Sequence, residues 1–133
     1  MGIKGLVSVP ATCFWSLVGS TTAHPDNHYL TSRALVGLAE LAALYRRFDP
    51  TAPLLHLNDA SLERGGLFDI RGNWQFPHET HGRGTAIDVR ANAATGAIPP
   101  ANYSEFIQLA QDVGGRAAIH NPGTTNQHFH VTF

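Results

Sequence analysis

The chain has 133 residues, 43% of them hydrophobic and 14% charged, with a formal net charge of -1. That length suits one domain, spanning residues 1–133, with a core of its own and no need of disulfide or metal staples. The absence of any basic run argues against a nucleic-acid footprint. The most hydrophobic early stretch is broken by Pro10, too short to span a membrane and a poor signal peptide.

Residues 5–9 read as a short strand stopped by Pro10, and residues 14–18 as a second. Cys13, the one cysteine, lies between Thr12 and Phe14 in this apolar segment and reads as a buried structural thiol. Residues 19–27 are polar, contain Pro25, and read as a loop. A helix follows, with Thr31 or Ser32 as its cap. Leu35, Leu38, Leu41, Ala42, Tyr45 and Phe48 recur at helical spacing and predict its buried face. Arg46 and Arg47 suit its C-terminal dipole, and Asp49-Pro50 ends it.

Residues 53–58 predict a buried strand in which His56 reads as a satisfied core or edge histidine. A long loop then runs from Glu63 to about Thr80, with Phe68, Trp74 and Phe76 to pack it. Loops of that length in compact domains are usually functional or disordered, and the aromatics argue that this one packs and is ordered. Residues 85–90 predict a strand with Ala86, Asp88 and Arg90 on one face. After a turn-rich crossing, Asn102 or Ser104 caps a second helix through about Val113, closed by Gly114-Gly115. Residues 116–120 and 127–133 predict two further strands around the turn Asn121-Pro122-Gly123. Short strands with two main helices predict an α+β domain, its sheet mostly antiparallel, with one long active-site loop.

The histidines carry the chemical signal. Five of the eight fall after residue 77. Alternation in the last strand sends His128, His130 and Thr132 to one face and Phe129, Val131 and Phe133 to the other, which is an apolar core face. The two imidazoles project side by side, with Cα atoms roughly 6.5–7 Å apart. Taken alone, such a pair fits an ordinary polar sheet face equally well. His81 and Asp88 would lie ~23 Å apart on a straight strand, so they meet only if the chain reverses between them. Gly82 and Gly84 permit that reversal. Two imidazoles, one carboxylate and an open position for water make a catalytic zinc site. We therefore expect His81, Asp88 and His130 to bind one Zn2+ per chain. His128, projecting beside His130, is the expected base for a zinc-activated water.

These motifs carry a resemblance. Asn58-Asp59-Ala60-Ser61, Gly65-Gly66, Pro77-His78-Glu79-Thr80-His81, Gly84, Asp88 and the terminal His128-Phe129-His130 resemble the penicillin-insensitive murein endopeptidases. The wider group takes in lysostaphin-type peptidases, D-alanyl-D-alanine metallopeptidases and the Hedgehog signalling domain. The resemblance runs from about His24 to Phe133. It implies the same ligands and base, and adds His78 as a further active-site histidine, whose plainer reading is a surface residue. It implies a zinc peptidase that cleaves amide bonds in peptidoglycan stem peptides or cross-links, often beside a D-amino acid. Such a protein works as a periplasmic or secreted monomer, and here no export signal is visible.

There are departures. The chain is much shorter than the typical murein endopeptidase, the segment of residues 67–74 is longer than its expected equivalent, and Gln127-His128 stand where many D-Ala-D-Ala peptidases carry a Glu-x-x-His motif. Arg71, Arg83 and Arg90 are candidates to hold a substrate carboxylate or a developing oxyanion, although each has a plain reading as a surface or structural arginine. Asp59 and Ser61 are candidates to orient His81 or His78. The alternative to an enzyme is a zinc-stabilised binding module on the same fold, as the Hedgehog resemblance allows.

Overall fold

The computed structural model describes residues 6–19, 28–60, 83–91 and 98–133. Seven strands and two α-helices lie within them: β1 (Leu6–Ser8), β2 (Trp15–Leu17), β3 (Tyr29–Thr31), α1 (Ser32–Phe48), β4 (Leu55–Leu57), β5 (Ala86–Arg90), α2 (Tyr103–Asp112), β6 (Arg116–His120) and β7 (His128–Thr132). The class is α+β, as the pattern predicts. Its strands form two sheets. A small antiparallel pair joins β1 to β3, and a five-stranded sheet has the order β2-β4-β5-β7-β6. Every pairing in the larger sheet is antiparallel except β2 with β4. That parallel pair is reached through β3 and α1, a crossover long enough to bring the chain back in the same direction.

Local chemistry explains most boundaries. Thr31 leaves β3 in extended geometry, and its hydroxyl accepts from the Ala34 amide at 3.1 Å, capping α1. Asp49 closes α1 by donating its amide to the Tyr45 carbonyl at 2.9 Å, ahead of Pro50. α2 starts from a 3-10 turn at Pro100–Asn102. The expected Asn102 cap is not made. Its amide group instead donates to Asp49 Oδ2 at 2.8 Å and to the Tyr45 hydroxyl at 3.1 Å, tying the start of α2 to the end of α1. Gly114, at φ +82°, turns the chain out of α2 where an L side chain would be strained.

Both helices share one core with the apolar face of the large sheet. Leu38 and Leu41 from α1, Phe106 from α2, and Leu55, Leu57, Ile87, Val89, Phe129 and Val131 from the strands are fully buried in it. Phe106 meets Tyr45 edge-on, with centroids 5.5 Å apart, and lies 4.9 Å from Phe129. Two expectations for α1 need correction. Phe48 is 46% exposed, and Leu35 only packs against the edge of the core. Gly37 takes a place on the buried face by accepting the Phe133 ring where a Cβ would stand. Cys13 is also corrected: it is exposed, in the bend before β2, where Thr12 Oγ1 takes the Phe14 amide. Residues 20–27, the whole of the long loop at 63–80, and residues 92–97 of the crossing lie outside the described residues.

Candidate metal centre

The opposite face of the large sheet holds the chemistry. The register pairs Asp88 with His130 and Arg90 with His128 across β5 and β7. It pairs His120 with His128 across β6 and β7. Since successive side chains alternate, Asp88, Arg90, His128, His130 and His120 all project from the face away from the helices. The reason lies in the sequence of each strand. Ile87, Val89, Phe129 and Val131 must enter the core, so the residues between them turn outward.

Backbone pairing brings the key side chains close. Ala91 donates to Gln127 at 3.1 Å and Phe133 to Thr85 at 2.9 Å, which marks the odd-numbered positions of this ladder as its hydrogen-bonded pairs. Asp88–His130 and Arg90–His128 are therefore the non-hydrogen-bonded pairs, whose Cα atoms sit nearer, about 4.5 Å apart. At that separation Asp88 Oδ1 stands 3.0 Å from His130 Nδ1, and Asp88 Oδ2 stands 3.4 Å from His128 Nε2. One carboxylate thus faces two imidazoles, one with each oxygen.

The two imidazoles differ. His128 Nδ1 lies 2.7 Å from the Asn126 carbonyl. A carbonyl only accepts, so Nδ1 donates and the neutral ring carries its lone pair on Nε2. That Nε2 is buried and makes no hydrogen bond among the described residues. It lies within ion-pair reach of Asp88 Oδ2 without the alignment of a hydrogen bond. Two acceptor atoms so placed in a buried site repel unless a proton or a cation stands between or beside them. His128 and Asp88 are each 5% exposed, so bulk water does little to relieve this.

The Asp88–His130 contact suits a metal as well as a proton. With a proton on Nδ1 it is a donated hydrogen bond. Without one, two donor atoms face each other at a separation within a few tenths of an ångström of the roughly 3.3 Å edge of a tetrahedral zinc shell. The residues present therefore fit the group. They do not complete it: among the described residues no set of three histidine, cysteine or acidic side chains converges on one ion. His81, the expected third ligand, and His78 lie outside the described residues, as do Gly82, Ser61 and Arg71. Gly84 has φ +71°, the conformation for which glycine is suited, immediately before β5.

Of the other candidates, Arg83 is exposed in the turn before β5, and Arg90 lies half-buried on the polar face beside Gly19 and Asn58. Asp59 accepts the Asp88 amide through its backbone carbonyl at 2.8 Å, and Asn58 donates to the Asp88 carbonyl at 2.7 Å, so this segment fixes the backbone of Asp88. His28 is buried but belongs to the scaffold, with Nε2 between the carbonyls of Val18 and Leu57.

His120 is the residue that sequence reading passes over. Its ring stacks on His130 with centroids 4.9 Å apart and planes 5° apart, and it meets His128 edge-on at 5.5 Å. The available signal is its place at the end of a strand, one short turn before His128. No family model matches the chain, and no curated protein matches it significantly.

Proposed function

We propose that the chain is a zinc-dependent amide hydrolase that cleaves peptide bonds in peptidoglycan stem peptides or cross-links, beside a D-amino acid. The observation that carries this reading is the buried Nε2 of His128, unprotonated in its neutral ring, without a hydrogen bond among the described residues, and facing the carboxylate that also meets His130. The resemblance of the motifs to the murein endopeptidases implies the substrate class and the division of roles. Asp88 and His130, with His81, hold the metal, His128 is the base, and His78 assists.

When bound, zinc supplies positive charge that polarises the scissile carbonyl and lowers the pKa of the attacking water. Asn126 holds His128 Nδ1–H, so Nε2 keeps its lone pair and points at the site. Nε2 accepts a proton from the attacking water as the water oxygen bonds to the carbonyl carbon. It then delivers that proton to the amide nitrogen as the C–N bond breaks, releasing a carboxylic acid and an amine. Asp88 orients the His130 imidazole through Oδ1, while the Asn126 carbonyl orients His128.

The reading places the protein in the periplasm or outside the cell, as a monomer acting on cell-wall peptides. The reading gives nucleic acid no role, and the sequence carries no basic run. Among the described residues no helix is long and apolar enough to cross a membrane. One observation favours the second reading, a zinc-stabilised binding module: Asp88 and His128 are as buried as core residues. Incubation of the zinc-loaded protein with purified peptidoglycan decides between them. New muropeptides from wild type, lost with His128→Ala and with a chelator, support the hydrolase. Intact peptidoglycan at full zinc occupancy would sink it.

A further inference from the structure

We propose that His120 is a positioning residue, a flat side chain from the outermost strand that holds the rings of His130 and His128 in their working orientation. The inference rests on the metal reading only for its consequence; the ring contacts belong to the protein itself.

An imidazole has a broad torsion about its last side-chain bond, so backbone register alone leaves the direction of its nitrogens undetermined. His130 must turn Nδ1 toward Asp88, and its hydrogen-bond geometry there is set by the plane of its ring. That plane is covered by His120, whose ring is parallel to it within 5° at a centroid distance of 4.9 Å. The same ring presents itself edge-on to His128 at 5.5 Å. The register makes both contacts possible. His120 is directly opposite His128 and diagonal to His130, and diagonal neighbours on a sheet face are within reach of aromatic side chains.

His120 is itself held firmly. β6 turns into β7 through residues 121–127, with Asn121 at φ 50° and Gly123 at φ 77°. Thr124 donates its amide and its hydroxyl to the Asn121 carbonyl, and Gln127 Oε1 accepts the Gly123 amide at 2.8 Å. Gln127 Nε2 also donates to the Ala91 carbonyl and the Tyr103 hydroxyl, anchoring the turn to β5 and α2. One braced hairpin therefore delivers the stacking ring at its start and, through the Asn126 carbonyl, sets the tautomer of His128 at its end.

The test uses the full chain as wild type, His120→Phe, His120→Leu and His120→Ala. The first readout is the NMR shift of the His130 and His128 ring protons in metal-free protein. Stacking predicts ring-current shifts that persist in His120→Phe and move toward unstructured values in His120→Leu and His120→Ala. The second is zinc affinity by competition with a chromophoric chelator. It should fall about tenfold in the two non-aromatic variants, the scale found when groups supporting a ligand are removed, and stay close to wild type in His120→Phe. The leucine variant fills the volume, so a loss there is not a packing defect. Unchanged shifts and affinity in His120→Leu overturn the proposal, as does a His120→Phe variant no better than His120→Ala in either readout. If wild type takes up no zinc, the hydrolase reading fails, while the ring-proton shifts still decide the role of His120.

Discussion

At the scale of single residues, His128 pairs a satisfied nitrogen with one that makes no hydrogen bond among the described residues. Nδ1 has the Asn126 carbonyl, while Nε2 is buried against a carboxylate oxygen at 3.4 Å. A buried acceptor left without a hydrogen bond costs about 1–3 kcal/mol. His128→Asn separates the two nitrogens, because an asparagine amide can still donate to the Asn126 carbonyl but has nothing in place of Nε2. We expect that variant to fold with stability within about 1 kcal/mol of wild type. We expect its turnover of peptidoglycan to drop by roughly 10²–10⁴ with zinc retained. Denaturant unfolding, turnover assays and bound-metal analysis check the three parts. The pairing of His128 with His130 is legible in the sequence, because Phe129, Val131 and Phe133 leave them no other face. The place of His120 is not. It depends on the register between β6 and β7, which no pattern within residues 116–120 encodes.

At the scale of elements, the site depends on where β5 begins. Gly84 at φ +71° donates no side chain, and a Cβ there would run into the Leu6 side chain and come within 3.2 Å of the Thr31 amide nitrogen. Its carbonyl accepts that same amide at 2.9 Å, joining the start of β5 to the end of β3. Gly84→Ala therefore suffers both strain and crowding. It should destabilise by more than about 1 kcal/mol and weaken zinc binding by displacing Asp88. Thr31→Ala removes only the side-chain cap of α1 and leaves the amide bond to Gly84 in place, so it should cost about 1 kcal/mol without a change in zinc affinity. Thermal melts and zinc titrations of both variants distinguish a site effect from a general one. Sequence reading recovers α1, α2 and six of the strands from periodicity and breakers. It misses β3, because Tyr29–Thr31 is three residues long and merges into the helix cap. It also misses the parallel pairing of β2 with β4, which is set by the crossover through α1 rather than by either strand.

At the scale of the molecule, the two helices are clamped at Asp49. Hydrogen bonds from the Thr51 and Asn102 side chains hold its carboxyl below the usual carboxylate range. A depressed folded-state value means that Asp49 contributes stability fully above its ordinary value of 3.8, and that this contribution is lost as pH falls through the lower folded value. Its exposure to solvent makes the effect modest. Unfolding curves at pH 6 and pH 3 should show a smaller loss for Asp49→Asn than for wild type. Burial pushes the Tyr45 hydroxyl above its ordinary range, so it remains neutral and accepts from Asn102 throughout. The same architecture that buries the helices on one face of the sheet frees the other for Asp88, His128 and His130. The division of labour between those three and His81 is the central claim. Zinc titration of wild type, Asp88→Ala, His130→Ala, His81→Ala and His128→Ala tests it most directly. Wild type should bind one zinc per chain, the first three variants should lose binding, and His128→Ala should bind near-normally. Equal loss in His128→Ala, or undiminished binding in Asp88→Ala, would contradict it.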